Sequence, residues 1–233
     1  MQGIDLLAFD ADDTLWHNEN FFAATQERLI SLLAPYAPDG IDLKHRLDDV
    51  ERRNLAHFGY GVKGFTLSMV ETALDVTEGR VPTALISAIL ELGKEMMAHP
   101  VDLLPDVAET LAILSERYRM ILVTKGDLFH QESKVARSGL ADLFQAIEIV
   151  SEKDAPTYAR VLRRQKVEPE SCLMIGNSVK SDILPVLALG GWAAHVPYEI
   201  DWTLEAAVLP DNHPRLLRLD RVSDLLSILP HTR

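Results

Sequence analysis

Apolar and polar positions follow two different rhythms along the chain. From about residue 100 onward, short apolar runs alternate with stretches of helical period. The runs are RMILVT (119–124), QAIEIVS (145–151), SCLMIG (171–176) and WAAHVP (192–197), with helix-like segments at 105–117, 127–138, 155–166 and 180–189. Strands alternating with helices of this length predict βαβ units and a parallel sheet. Because the runs are apolar almost throughout, both faces of that sheet should be covered by helices. RLLRLD followed by RVSDLLSIL predicts an outer strand and a closing helix. The fold class read from this pattern is α/β, a Rossmann-like parallel-sheet core with three α/β/α layers.

The front of the chain breaks the rhythm. GIDLLAFD (3–10) is a strand of the same kind, yet the next begins near residue 119. A βαβ connection normally needs a few loop residues and one helix. Residues 16–100 instead hold several amphipathic stretches, such as FFAATQERLISLLA (21–34) and PTALISAILELGKEMMA (82–98). They predict an α-helical domain, 16–100, inserted into a core built from 1–15 and 101–233. HFGYGVKGF (57–65), with Gly59, Gly61 and Gly64 among aromatics, predicts a flexible loop inside it.

Composition narrows the function classes. A chain of 233 residues, 47% hydrophobic and 25% charged, is that of an ordinary globular protein. A net charge of −12 argues against a nucleic-acid backbone or an anionic membrane as partner. Any anionic substrate must therefore be drawn in by a local positive site. The single cysteine, Cys172, sits in a strand pattern and excludes an intrachain disulfide. With no basic n-region before an apolar stretch and no run of membrane-span length, a cytoplasmic protein is expected.

Candidate chemistry collects at the strand ends, where open α/β sheets bind their ligands. After the first run come Asp10, Asp12, Asp13 and Thr14. Two unit charges about 4 Å apart repel by roughly 1 kcal/mol in water and about 4 kcal/mol at an effective dielectric near 20, so a positive partner is expected there. The second run ends in Thr124, then Lys125 and Gly126; beyond the third lies Lys153, in SEKDAP; the fourth leads into GNSVKSD, with Asn177, Ser178 and Asp182. A carboxylate nucleophile, oxygen ligands for a hard cation and donors for phosphoryl oxygens are the parts of phosphoryl transfer through an aspartyl-phosphate.

These four clusters, in this order, resemble the motifs of the haloacid dehalogenase (HAD) superfamily of hydrolases. DADDT resembles the first, the threonine closing LVT the second, the lysine of SEKDAP the third and GNSVKSD the fourth. The helical insertion resembles the family's cap domain of the first type. The resemblance implies a Mg²⁺-dependent phosphatase acting on a small phosphate monoester. Asp10 would be the nucleophile and Asp12 the general acid and base. Thr124, Lys125, Gly126 and Lys153 would bind the substrate, Thr124 and Lys153 holding the phosphoryl oxygens. Asp10, Asp12 (through its carbonyl), Asp182 and Asn177 would surround the metal. Mg²⁺ and Lys153 would then offset the carboxylates. Asp13, turned away by alternation, is given no chemical role.

Asn177 stands where many members carry aspartate, and Lys125 where asparagine is common. Rival readings are a metal-independent 2-haloacid dehalogenase, a phosphonate-cleaving hydrolase with Lys63 as imine former, and a non-catalytic phosphate-binding member of the fold. Asp12 speaks against dehalogenation, because a halide leaves without a proton. His17, His57, Phe58, Tyr60 and Lys63 read more readily as loop surface or cap packing than as substrate contacts. No nucleic-acid or membrane partner is expected; the chain could be a monomer or a homodimer.

Overall fold

The computed structural model describes residues 3–200 and 202–229. Its strands are β1 (Leu6–Phe9), β2 (Arg119–Lys125), β3 (Ala146–Val150), β4 (Cys172–Gly176), β5 (Trp192–His195) and β6 (Leu216–Arg218). Its α-helices are α1 (Glu19–Leu33), α2 (Leu43–Phe58), α3 (Val62–Val76), α4 (Thr83–Ala98), α5 (Val107–Ser115), α6 (Leu128–Ser138), α7 (Ala155–Gln165), α8 (Leu184–Ala188) and α9 (Leu225–Ile228).

The strands form one parallel sheet in the order β3-β2-β1-β4-β5-β6. This is the doubly wound, Rossmann-like order, and it reverses at β1 and β4. Alternation along the strands divides the core in two. Leu7, Phe9, Met120, Leu122, Leu173 and Ile175 enter one buried cluster, and Leu6, Ala8, Ile121, Val123, Cys172 and Met174 enter another. Each face buries its own set, which is why the strand sequences carry almost no polar residue. Within the second cluster the Cys172 thiol is pushed up to about 12 by burial.

The chain divides into two compact units. The first comprises the described residues up to Glu19, Val101–Lys125, and those from Gln131 on; the second comprises Asn20–Pro100 and Gly126–His130. The first unit runs four residues past the boundary read at 15. Backbone pairing explains this: Leu104 N–H donates to the Leu15 carbonyl and His17 N–H to that of Asp102, each at 2.9 Å, while the Trp16 side chain is buried. The second unit is helical, with its own core of Leu29, Leu33, Leu47, Met69, Ile89 and neighbours. No described helix is long and apolar enough to cross a membrane.

Two local features differ from the sequence pattern. The loop expected over 57–65 contracts to Gly59–Gly61, because α2 continues to Phe58 and α3 starts at Val62. Gly64 lies inside α3, where a Cβ would stand 2.8 Å from the Gly59 carbonyl oxygen. The helix expected over 180–189 opens as a π-helical turn, Val179–Ile183, before α8. Such turns occur often at functional sites.

Asp13 has a structural task that alternation did not foresee. Its backbone adopts φ 64°, and its buried carboxylate accepts from the N–H groups of Asn18 and Glu19 where α1 begins. Asp13→Ala should cost about 1–3 kcal/mol in urea unfolding, because it removes that cap and leaves a Cβ without local hydrogen bonding at positive φ. Asp13→Asn, which tolerates the same backbone and still accepts, should lose much less.

Candidate active site

The carboxyl ends of β1, β2, β3 and β4 bring the sequence-identified residues into three adjoining networks. The first is centred on Lys153. Asp10 leaves β1 with its N–H still donating to the Ile175 carbonyl of β4, at 2.8 Å. Lys153 Nζ donates to Asp10 Oδ1 at 2.5 Å and to Asp182 Oδ1 at 2.7 Å, and all three side chains are buried. Asp182 Oδ2 accepts from the Ser178 N–H at 3.0 Å, and the Tyr158 hydroxyl lies 3.5 Å from Oδ1. Gly176, which ends β4, is required here: a Cβ at that position would collide with the Asp182 carboxylate.

Burial pushes the Asp10 carboxyl up to about 7, and the Asp182 charge adds to this while Lys153 opposes it. Lys153 is disfavoured as a cation by burial, but the two carboxylates outweigh that and raise its pKa. Two buried carboxylates share one ammonium, so the cluster is short of positive charge.

The other Asp10 oxygen, Oδ2, accepts from the Thr14 hydroxyl at 2.8 Å; that hydroxyl lies 3.3 Å from Asn177 Oδ1 and accepts from the Asn177 N–H at 3.1 Å. Asp10 Oδ2 and Asn177 Oδ1 therefore flank one hydroxyl. Among the described residues no three His, Cys, Asp or Glu side chains cluster as a metal site. The oxygen set of Asp10, Asp182 and the Asn177 amide, together with the charge deficit, nevertheless fits Mg²⁺, which takes one or two carboxylates and keeps several waters.

The second network corrects an expectation. The charge of Asp12 is met by Lys134, a residue of α6 that the sequence reading missed. Lys134 Nζ donates to Asp12 Oδ1 at 2.6 Å and Oδ2 at 2.7 Å, Trp16 Nε1 donates to Oδ1 at 2.6 Å, and Gln131 Nε2 to Oδ2 at 3.0 Å. Burial alone would raise the Asp12 pKa; Lys134 and these donors outweigh it and leave the carboxylate below its ordinary range. Gln131 Nε2 also donates to Thr124 Oγ1 at 2.6 Å, linking the first and second strand ends. No signal in the sequence marks Lys134. In α6 the apolar Leu128 and Phe129 are 59% and 66% exposed, whereas Gln131 and Lys134 are buried, an inversion of the usual amphipathic pattern.

The third network holds Lys125. Its ammonium pairs with Glu205 at 2.6 Å and donates to Ser181 Oγ at 2.9 Å. Gly126 turns the chain at φ 142°, open to glycine, into the segment grouped with the second unit. There Lys63 pairs with Asp127 at 3.0 Å and lies over the Phe129 ring. His17 bonds the Tyr198 hydroxyl at 2.7 Å.

Residues 4–190 match the haloacid dehalogenase-like hydrolase family, and the chain belongs to that family. A haloacid dehalogenase-like family hydrolase from Xanthomonas campestris is 43% identical, with a TM-score of 0.87, over 97% of this chain and 91% of that one. A 2-haloacid dehalogenase from Pseudomonas syringae pv. Tomato DC3000 shares the fold at 22% identity and a TM-score of 0.64, over 97% and 98% of the two chains. So does the HAD-hydrolase YfnB from Bacillus subtilis, bound to magnesium, at 18% and 0.67, over 98% and 99%. No curated protein matches the chain. The protein is a HAD-like hydrolase.

Lys153→Met should destabilise the fold by about 3–5 kcal/mol at pH 8 in urea titrations, because it leaves two buried carboxylates without their cation. Carboxyls whose folded pKa is raised are destabilising above it, so the deficit should shrink as pH falls from 8 towards 5.

Proposed function

We propose that the protein is a Mg²⁺-dependent phosphatase that hydrolyses a small phosphate monoester by double displacement at Asp10. The observation that carries this reading is the buried Asp10–Lys153–Asp182 cluster with a second, separately anchored carboxylate, Asp12, two residues from the nucleophile. A halide leaving group would have no use for that second carboxylate. Most of the family works with Mg²⁺, although its dehalogenases work without metal.

In this reading Asp10 attacks phosphorus and the P–O bond to the leaving alcohol breaks, giving the aspartyl-phosphate. Lys153 opposes the burial that raises the Asp10 pKa and, with Thr124, holds the transferred oxygens. Thr124 Oγ1 accepts from Gln131, which leaves its own proton to donate to a phosphoryl oxygen. Asp12 protonates the departing alkoxide and then takes a proton from the water that hydrolyses the acyl-phosphate. The lysine clamp presets Asp12 for the second of these tasks. For the first, Asp12 must still hold the proton it took from water in the preceding turnover, which requires Lys134 to yield one of its two hydrogen bonds. Mg²⁺, held by Asp10, the Asp12 carbonyl, Asn177 and Asp182, would supply charge neutralisation at the phosphoryl group. The helical unit is assigned the substrate-selecting role of the family's cap, and the cytoplasm is the expected compartment.

Wild-type protein should release phosphate from p-nitrophenyl phosphate with Mg²⁺ and stop on addition of EDTA. Asp10→Asn should abolish both turnover and acid-quench trapping of phosphoenzyme; full activity in that variant would end the proposal. Halide release from 2-haloacids that persists in EDTA would favour the dehalogenase instead.

Lys134→Met should lower kcat about 10²-fold or more with little change in KM, the size of effect general acid–base groups produce when misplaced. Steady-state kinetics on the same substrate reads this directly.

A further inference from the structure

Glu205 lies in a 3₁₀ turn, Thr203–Glu205, beyond β5 and outside all four sequence clusters. Its side chain is 13% exposed, yet it is an acid among donors from two separate strand ends. Oε1 accepts from Lys125 Nζ of β2 at 2.6 Å. Oε2 accepts from Ser178 Oγ at 2.8 Å and from Ser181 Oγ. Lys180 Nζ stands 3.7 Å from Oε1 and donates to the Leu204 carbonyl at 2.9 Å, fixing the same turn from outside.

Ser178 and Ser181 belong to the turn that carries Asn177 and Asp182. Ser178 Oγ accepts from the Ser181 N–H at 3.1 Å, and the Ser178 N–H donates to Asp182 Oδ2 at 3.0 Å. From there Asp182 reaches Lys153, and Lys153 reaches Asp10. A continuous chain of hydrogen bonds thus runs from Glu205 to the nucleophile. Burial would raise the Glu205 pKa; Lys125, then the hydroxyls, overcome it and hold the carboxylate ionised. Charge-assisted bonds of this kind are the strong ones.

We propose that Glu205 is a positioning residue of the active site: it latches the Asn177–Asp182 turn to the end of β2. The latch fixes Asp182 and Asn177 relative to Thr124. It also gives Lys125 its role, which is to anchor Glu205 rather than to touch substrate. The positioning role rests on the phosphatase reading above; the latch itself does not.

Glu205→Gln keeps the shape and removes the charge. Two measurements separate the parts. Hydrogen–deuterium exchange should show amides of 177–183 exchanging about tenfold faster or more in the variant than in wild type, with the sheet core unchanged. On p-nitrophenyl phosphate with Mg²⁺, kcat should fall about 10- to 100-fold with KM within about twofold, as expected for misplacement rather than lost binding. Lys125→Met removes the other end of the latch and should reproduce both effects; the double variant should be no worse than either single one. Unchanged exchange at 177–183 in both single variants overturns the latch, whatever the activity. Faster exchange with wild-type kcat overturns the positioning role. If wild-type protein turns over no phosphate ester, the phosphatase reading and the positioning role fall together, and the exchange data still decide the latch.

Discussion

Two carboxylates from different strand ends, Asp10 and Asp182, meet at one buried ammonium, Lys153. That arrangement constrains everything around it. A charge buried in protein without its partner costs several kcal/mol, so the three groups must stay within hydrogen-bond distance or the fold itself suffers. The sheet supplies the rigidity: β1 and β4 are adjacent parallel strands, register-locked with Phe9 opposite Ile175. Their ends deliver Asp10 and the Asn177–Asp182 turn to neighbouring points. With one cation for two anions, the cluster is left electrostatically incomplete.

The second lysine makes a different use of the same physics. Asp12 stands two residues from Asp10, and two carboxylates this close would compete for any shared cation. Lys134, held on α6 beside Gln131, takes Asp12 out of that competition. The two acids are thereby given separate partners and separate electrostatic surroundings. Splitting the environments of paired carboxylates is how one site can hold a nucleophile and a proton-transfer group at the same pH.

The fold was largely legible in the chain because its strands are apolar on both faces and its helices keep a 3.6-residue period. Asp10, Thr124, Lys153 and Asp182 could be picked out because each lies at or just past a strand end, where position alone implies convergence. Lys134 and Glu205 could not be found that way. Lys134 sits mid-helix, and only the inverted exposure of α6, invisible without coordinates, marks it. Glu205 comes from an irregular segment after β5, where no periodicity says which side chain turns inward. The capping role of Asp13 could not be read from alternation, which applies to extended chain; its φ of 64° ends the strand geometry there. Long-range side-chain pairing is a property of topology, and a linear pattern carries it only where regular elements terminate.

The position of the insertion also bears on how the molecule comes together. β1 must wait for partners far along the chain: Leu6 pairs with Arg119 on one side and Cys172 on the other. The helices between them contact mostly their sequence neighbours, a topology that forms quickly. The helical unit can therefore be structured before the central strand has anything to pair with. Asp10 and Lys153, 143 residues apart, are joined only once β1, β2 and β3 have paired. The Asp10–Lys153–Asp182 cluster therefore forms only from long-range pairing, and a chain whose sheet has not yet closed holds Asp10 without its buried cation.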